Sequence, residues 1–252
     1  MKKIMPTKFL ATIATTLLLA ALTAPVSAMP ILSGCGDSMS AGGTDCTLGE
    51  LFGGGSITTQ GLRFRDWTLN AGLSSITSGF DRILVTEGAG SDMSTTVLEL
   101  TASGAPLEVI SPTVNTSADL IFSYLVERVD ATPGISGAGL SILDYNASGT
   151  GSGIIADTLL CNPLLGLPCN SIAASLLALT PSLTSASSVI NSETAVLAEA
   201  SIFVQAGAGA NSNASLSRLA LQWSQSTGVP EPATLALALF GLLGLQARRK
   251  AA

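Results

Sequence analysis

Apolar and polar residues alternate with period two through much of the middle of the chain. This spacing predicts strands, because successive side chains of a strand point to opposite faces. In Ile57 to Leu69, Leu62, Phe64, Asp66 and Thr68 fall on one face, and Arg63, Arg65, Trp67 and Leu69 on the other. In Ala118 to Val129, Leu120, Phe122, Tyr124, Val126 and Arg128 alternate with Asp119, Ile121, Ser123, Leu125 and Glu127. Both faces of that segment are partly apolar, as in a central strand of a sandwich, and its Tyr, Phe, Ile and Val content favours strand over helix. Further strands are predicted at 82–86, 95–101, 107–111, 138–145, 152–158, 184–191, 194–206 and 214–224. The last two read as a hairpin across the Gly/Asn stretch Ala206 to Ala214. Asn170 to Leu183 reads instead as a short helix ending near Pro181. No repeat of fixed period is visible. Many short strands between turn residues predict an all-β chain, an antiparallel β-sandwich.

The two ends follow other rules. Lys2, Lys3 and Lys8 precede an apolar run from Phe9 to Leu22, and Val26-Ser27-Ala28 forms a small-residue cleavage site. Residues 1–28 therefore read as a secretory signal helix removed after Ala28. At the other end, Val229-Pro230-Glu231-Pro232 is followed by an apolar run from Ala233 to Leu245, then Gln246, Ala247 and the cluster Arg248-Arg249-Lys250. The prolines break any preceding element. As a helix, the stretch to Ala247 spans only ~22 Å. A hydrocarbon core is about 30 Å thick, so this is a short transmembrane helix and a temporary anchor rather than a robust membrane span. The basic cluster keeps its end cytoplasmic and leaves the body of the chain outside. The exported domain is then 29–228, and the C-terminal signal 229–252.

Pro-Glu-Pro, a short apolar helix and a terminal basic cluster resemble the PEP-CTERM sorting signal of bacteria that carry an exosortase, often beside exopolysaccharide gene sets. The resemblance implies recognition in the inner membrane through Pro230, Glu231, Pro232, Arg248, Arg249 and Lys250. It also implies that exosortase is the processing partner, that the tail is removed near Pro230–Pro232, and that the mature form reaches the cell surface or medium. The stretch Cys46-Thr47-Leu48-Gly49-Glu50-Leu51-Phe52-Gly53-Gly54-Gly55-Ser56-Ile57, followed by Leu62-Arg63-Phe64, is similar to the opening of a recurrent group of PEP-CTERM exoproteins.

Composition narrows the functions. The chain has 252 residues and no histidine. That excludes a Ser–His–Asp triad, a Cys–His dyad and imidazole-bound metal. All four Lys lie in the two end segments, so 29–228 holds five Arg against sixteen acids, a net charge of −11. Such a body is soluble and repels anionic polymers, so nucleic acid is not an expected partner.

Four cysteines in an exported chain suggest disulfides, with three possible connectivities. Proximity favours Cys35–Cys46 and Cys161–Cys169. The cysteines lack the paired spacing of a zinc ribbon, and no metal or cofactor is expected. Asp144-Tyr145-Asn146-Ala147-Ser148-Gly149 matches the first half of a calcium loop. Position 12 is Ile155 where a Glu is needed, and Asp157 comes two residues late, so a hairpin loop is the preferred reading. Elbow, Walker and dinucleotide motifs are absent from the sequence. Glu99, Glu108, Glu127 and Asp130 are the candidate carboxylates for glycoside hydrolysis, each better read as a solvent-facing strand residue. Trp67, Trp223, Tyr124 and Tyr145 are candidates for a sugar platform, each better read as core. The N-x-[ST] triplets at Asn115, Asn146 and Asn213 carry little weight in a bacterial chain.

The expected function is that of an exported, non-enzymatic surface or extracellular-matrix protein. The alternative is a carbohydrate-binding module or adhesin with exopolysaccharide as ligand. A two-carboxylate hydrolase stands third.

Overall fold

The computed structural model describes residues 29–36, 45–92, 94–103, 107–111, 115–130, 134–161, 172–209 and 211–226. Its strands are β1 (Ile31–Ser33), β2 (Asp45–Thr47), β3 (Ser56–Thr59), β4 (Leu62–Leu69), β5 (Ile83–Glu87), β6 (Thr95–Ala102) and β7 (Glu108–Ser111). They continue as β8 (Thr116–Arg128), β9 (Ile135–Ser148), β10 (Gly153–Cys161), β11 (Ile172–Leu179), β12 (Ser185–Glu193), β13 (Ala195–Ala206) and β14 (Ser212–Gln225). A five-residue helix, α1 (Leu48–Phe52), follows β2. The first sheet runs β1-β3-β4-β8-β13-β10-β11 and the second β12-β9-β14-β6-β5-β2, with β7 also paired to β14. Every ladder among the described strands is antiparallel. The two sheets enclose one hydrophobic core, so the predicted β-sandwich is the architecture observed.

The segment Ile57 to Leu69 is a hairpin with one shift of phase, not a single alternating run. Gln60 and Gly61, at φ 48° and 75°, make the two-residue turn between β3 and β4. At Asp66 (φ 56°) the register with β8 slips between Arg65 and Thr68. Asp is one of the few L-residues that tolerate this left-handed conformation. The extra residue inverts the alternation, so Leu62, Phe64 and, after the bulge, Trp67 all face the core, while Asp66 and Thr68 are exposed.

The core is built around aromatic rings. Trp67 stacks on Tyr124 with centroids 4.5 Å apart and on Phe122 at 5.8 Å. Trp223, from the second sheet, meets Tyr124 and Phe64 edge-on at 6.2 and 6.5 Å. Beside them, β13 presents Ala198 opposite Tyr124 and Ala200 opposite Phe122. Both alanines are buried, and their small side chains leave room for the rings.

The opening motif has a local mechanism. Thr47 Oγ1 accepts from the Glu50 N–H (3.2 Å), and Glu50 Oε2 accepts from the Thr47 N–H (2.7 Å), a reciprocal cap that starts α1. A Cβ on Gly55 would lie 2.9 Å from Glu50 O, so the glycine run lets the chain turn tightly against the helix end.

Two readings change. First, β13 and β14 do not form a hairpin. β13 pairs with β8 and β10 in the first sheet, and β14 pairs with β9, β6 and β7 in the second. The Gly/Asn stretch is thus an arch between sheets. It crosses beside the β9–β10 arch, where Gly207 lies so close to Thr150 O that a Cβ there would clash. Second, within Asn170 to Leu183 the described residues form strand β11 rather than a helix. Leu176 and Ala178 are buried while Ser175 and Leu177 are exposed, a period of two that suits an edge strand bonded to β10.

Candidate functional site

The folded domain is held up to the start of the C-terminal signal. Gln225, the last residue of β14, is buried. Its N–H donates to Ser94 O (2.8 Å), and its Nε2 donates to Gln60 O (2.8 Å) and Thr96 Oγ1 (3.4 Å). Arg128 Nη1 donates to Gln225 Oε1. Gln60 Nε2 in turn donates to Glu87 Oε1 (3.0 Å). Groups from β8 and the β3–β4 turn are thereby tied to β5, β6 and β14, which closes one end of the sandwich. Ser226 follows, with its N–H and Oγ both donating to Gly134 O (2.9 and 3.1 Å). Pro230, Glu231, Pro232, Arg248, Arg249 and Lys250 lie outside the described residues, as do the signal segment 1–28 and the apolar run that follows Pro232. No helix among the described residues is long and apolar enough to cross a membrane.

Cys35 and Cys46 form a disulfide that ties the chain after β1 to β2. Cys161, at the end of β10, is a disulfide cysteine as well, and Cys169 lies outside the described residues.

The candidate carboxylates are not brought together. Glu127 on β8 is held by Arg65 through two bonds of 2.7 and 2.8 Å, with Arg63 at 3.4 Å. Hydrogen bonds from Arg65, with the charges of Arg65 and Arg63, hold its carboxyl below the ordinary range. Glu99 on β6, in the other sheet, accepts from Arg218 Nε at 2.5 Å. Glu108 and Asp130 are exposed. A different acidic pair emerges from strand register. Asp157 on β10 lies beside Glu199 on β13, and burial, then the Glu199 charge, raises the Asp157 pKa. Burial also raises Asp119 on β8. Asp157 and Glu199 are far apart in sequence, so only the ladder reveals their proximity.

The partial calcium loop is not a loop. Asp144, Asn146 and Ser148 are alternate exposed residues of β9, which runs extended to Ser148, and Ser148 Oγ donates to Asn213 Oδ1 at 2.9 Å. An extended strand does not curl its side chains around one cation. No cluster of three metal-ligating side chains occurs among the described residues. Trp67, Trp223 and Tyr124 are core residues, and Tyr145 is half-buried. Burial pushes the Tyr124 phenol well above its ordinary pKa.

The outer face of the second sheet carries an open groove of about 550 Å³. Its floor is the backbone at Gly137 and Gly139 on β9, and its walls include Ser187 and Val189 of β12 and Gln222 and Ser224 of β14. Glycines keep this floor low, while hydroxyl and amide groups along the walls offer neutral donors and acceptors.

No curated protein matches the sequence. Three solved structures show distant likeness. TmCBM61 in complex with beta-1,4-galactotriose has a TM-score of 0.30 at 10% identity, covering 66% of this chain and 88% of that one. The enzymatically active domain of tailspike protein 4 from bacteriophage CBA120 has a TM-score of 0.25 at 16% identity, covering 64% of this chain and 19% of that one. The Trichoderma harzianum endoglucanase 3, of family GH12, has a TM-score of 0.17 at 10% identity, covering 65% and 98%. At these scores none of the three carries its ligand or activity across. The match at the C-terminus is of another kind, because it is local and falls on the residues singled out by their order: over residues 228–250 the chain carries a PEP-CTERM protein-sorting motif.

Proposed function

We propose that the chain is an exported, non-enzymatic surface or extracellular-matrix protein, delivered through its C-terminal motif and released from the inner membrane by an exosortase. One observation carries this reading. The motif begins at residue 228, two positions beyond Ser226, the last described residue, which is still bonded to Gly134 of the sandwich. A cut at Pro230–Pro232 therefore severs none of the described strands and leaves the sandwich of residues 29–226 whole. The non-enzymatic reading is supported by the pairing of Glu99 and Glu127 with arginines on different sheets. Mass spectrometry of material exported from an exosortase-positive host tests the proposal. The mature protein should end near Pro232, and replacement of Pro230-Glu231-Pro232 by three alanines should leave a longer, membrane-bound form. Peptides containing Phe240 or Arg248 in the released fraction would overturn it.

A second reading, carbohydrate binding, is favoured by the groove over Gly137 and Gly139. Its neutral hydroxyl and amide walls suit hydroxyl-rich ligands better than ionic ones. Because Trp67 and Trp223 lie in the core, such binding would rest on hydrogen bonds rather than ring stacking. Glycan-array binding lost in Gln222→Ala would support it, and a wild-type protein silent on the array would remove it.

A further inference from the structure

One aromatic ring stands apart from the others. Aromatic residues make up only 4% of the chain. Among the described residues, every other Phe, Tyr and Trp belongs to the hydrophobic core or packs against it, and Phe203 does neither. Phe203 is a half-buried residue of β13. Its neighbours Ile202 and Val204 are buried in the core, so its ring lies on the outer face of the first sheet.

Strand register builds a pocket round this ring. Ile155 of β10 lies directly opposite Phe203 on one side, and Asp119 of β8 on the other. Leu179 of β11 lies beyond Ile155 in the same row. Gln205 shares the face of Phe203 and has Gly153 opposite it. Phe203, Ile155, Leu179, Gln205 and Gly153 help to line a cavity of about 230 Å³. A Cβ on Gly153 would lie 3.6 Å from Thr180 O, an ordinary contact, and its backbone is not left-handed. The fold thus has room for a side chain at 153, and glycine leaves that room to the pocket.

The walls are amphipathic. Phe203, Ile155 and Leu179 give an apolar floor and side, while Gln205 and Asp119 give an amide and a carboxylate. Neither of those two side chains is hydrogen-bonded among the described residues. A pyranose has the matching division, with one face of C–H bonds and a rim of hydroxyls that donate and accept. An alkyl chain would leave the amide and the carboxylate without partners, which costs binding energy. A cation finds one ring here, not the several faces of an aromatic cage. An anionic sugar is repelled by Asp119 and by the net charge of −11 on residues 29–228. The cavity is smaller than the ~300–1,000 Å³ of sites for drug-sized ligands, so it suits one ring.

We propose that this pocket binds one uncharged pyranose unit of a glycan, its C–H face laid on the Phe203 ring and its hydroxyls directed to Gln205 and Asp119. The ligand class rests on the carbohydrate reading, but the site does not. The pocket lies on the first sheet, whereas the groove over Gly137 and Gly139 lies on the second, so the two can be separated by substitution.

Titration of the chain, purified from exported material, with uncharged mono- and oligosaccharides tests the site. In saturation-transfer NMR with irradiation of aromatic protons, the ring C–H protons of a bound sugar should receive saturation. Phe203→Ala should weaken binding about tenfold. Gly153→Val fills the pocket with a strand-favouring residue and should weaken binding at least as much. Both variants should keep the wild-type circular dichroism spectrum. Gln222→Ala, in the groove, should leave this binding unchanged, and glucuronate should not bind. Sugar binding that survives Phe203→Ala or Gly153→Val would overturn the site, and its loss in Gln222→Ala would leave the carbohydrate reading standing. A chain silent towards every uncharged sugar would overturn both. Choline bound more tightly than any of the sugars would assign the ring to a cation and overturn the proposal.

Discussion

Arg128 on β8 donates a hydrogen bond to the side-chain carbonyl of Gln225 on β14, which joins the two sheets at the end of the sandwich where the chain leaves it. Gln225 also serves Gln60 O and Thr96 Oγ1, so its loss strands several part-buried polar groups at once. Gln225→Ala is expected to cost about 2–3 kcal/mol, the scale of leaving buried partners unsatisfied. Urea denaturation measures this. Hydrogen exchange at Ser226 should accelerate in the same variant.

Asp66 sets the phase of β4. Asp66→Val is expected to destabilise by about 1–2 kcal/mol, because a β-branched residue resists the left-handed backbone held there. Deletion of Asp66 should remove the bulge and leave plain alternation, with Trp67 directly after Arg65 and still on the core face. The measurement is tryptophan emission, blue-shifted in the wild type, where both tryptophans are buried, and still blue-shifted in the deletion.

Reduction of the Cys35–Cys46 bridge, which closes a sequence separation of 11, is expected to cost ~2.5–3 kcal/mol in the chain-entropy account. The check is denaturation with and without reductant, compared against a Cys35→Ala, Cys46→Ala double variant. The double variant should be insensitive to reductant as far as this bridge is concerned.

Stability should respond to pH in two opposite ways. Burial, then the Glu199 charge, raises Asp157 in the folded state, so its ionised form is penalised at neutral pH and the penalty is relieved as pH falls through the raised value. Glu127 is lowered by Arg65, so its stabilisation is present above the ordinary carboxylate range and is lost as pH falls through the depressed value. Asp157→Asn should therefore raise Tm at pH 7 by on the order of 1–3 °C. Glu127→Gln should lower it by a similar amount, roughly the scale of a partly exposed ion pair. Both differences should shrink in acid. Tm measured from pH 3 to pH 8 checks the signs.

The strands with unbroken alternation are legible in the sequence. Ala118 to Val129 became β8 with Leu120, Phe122, Tyr124 and Val126 inside, as its spacing predicts. Where the spacing misled, the cause was tertiary. Asp66 inverts the parity of β4, and nothing local distinguishes a tolerated left-handed Asp from an ordinary polar strand residue. A hairpin and an arch share one local signature, two alternating strands around a Gly-rich turn, and only the identity of the lateral neighbours separates β13 from β14. Ile172 to Leu179 is short, apolar and rich in Ala and Leu, which favours helix locally, and β10 overrides that preference by supplying a ladder. The sorting motif was legible because its parts are contiguous. The Asp157–Glu199 pair and the Gln225 junction depend on register across distant strands, which no linear spacing encodes.

The final strand among the described residues is a middle strand of its sheet. β14 lies between β9 and β6, so before residues 212–225 arrive, β12 and β9 on one side and β6, β5 and β2 on the other share no partner. A chain supplied from its N-terminus therefore carries two half-sheets waiting for a keystone. Its cooperative closure belongs to the last moment of delivery, when the segment that enters the gap is the one that immediately precedes the sorting motif.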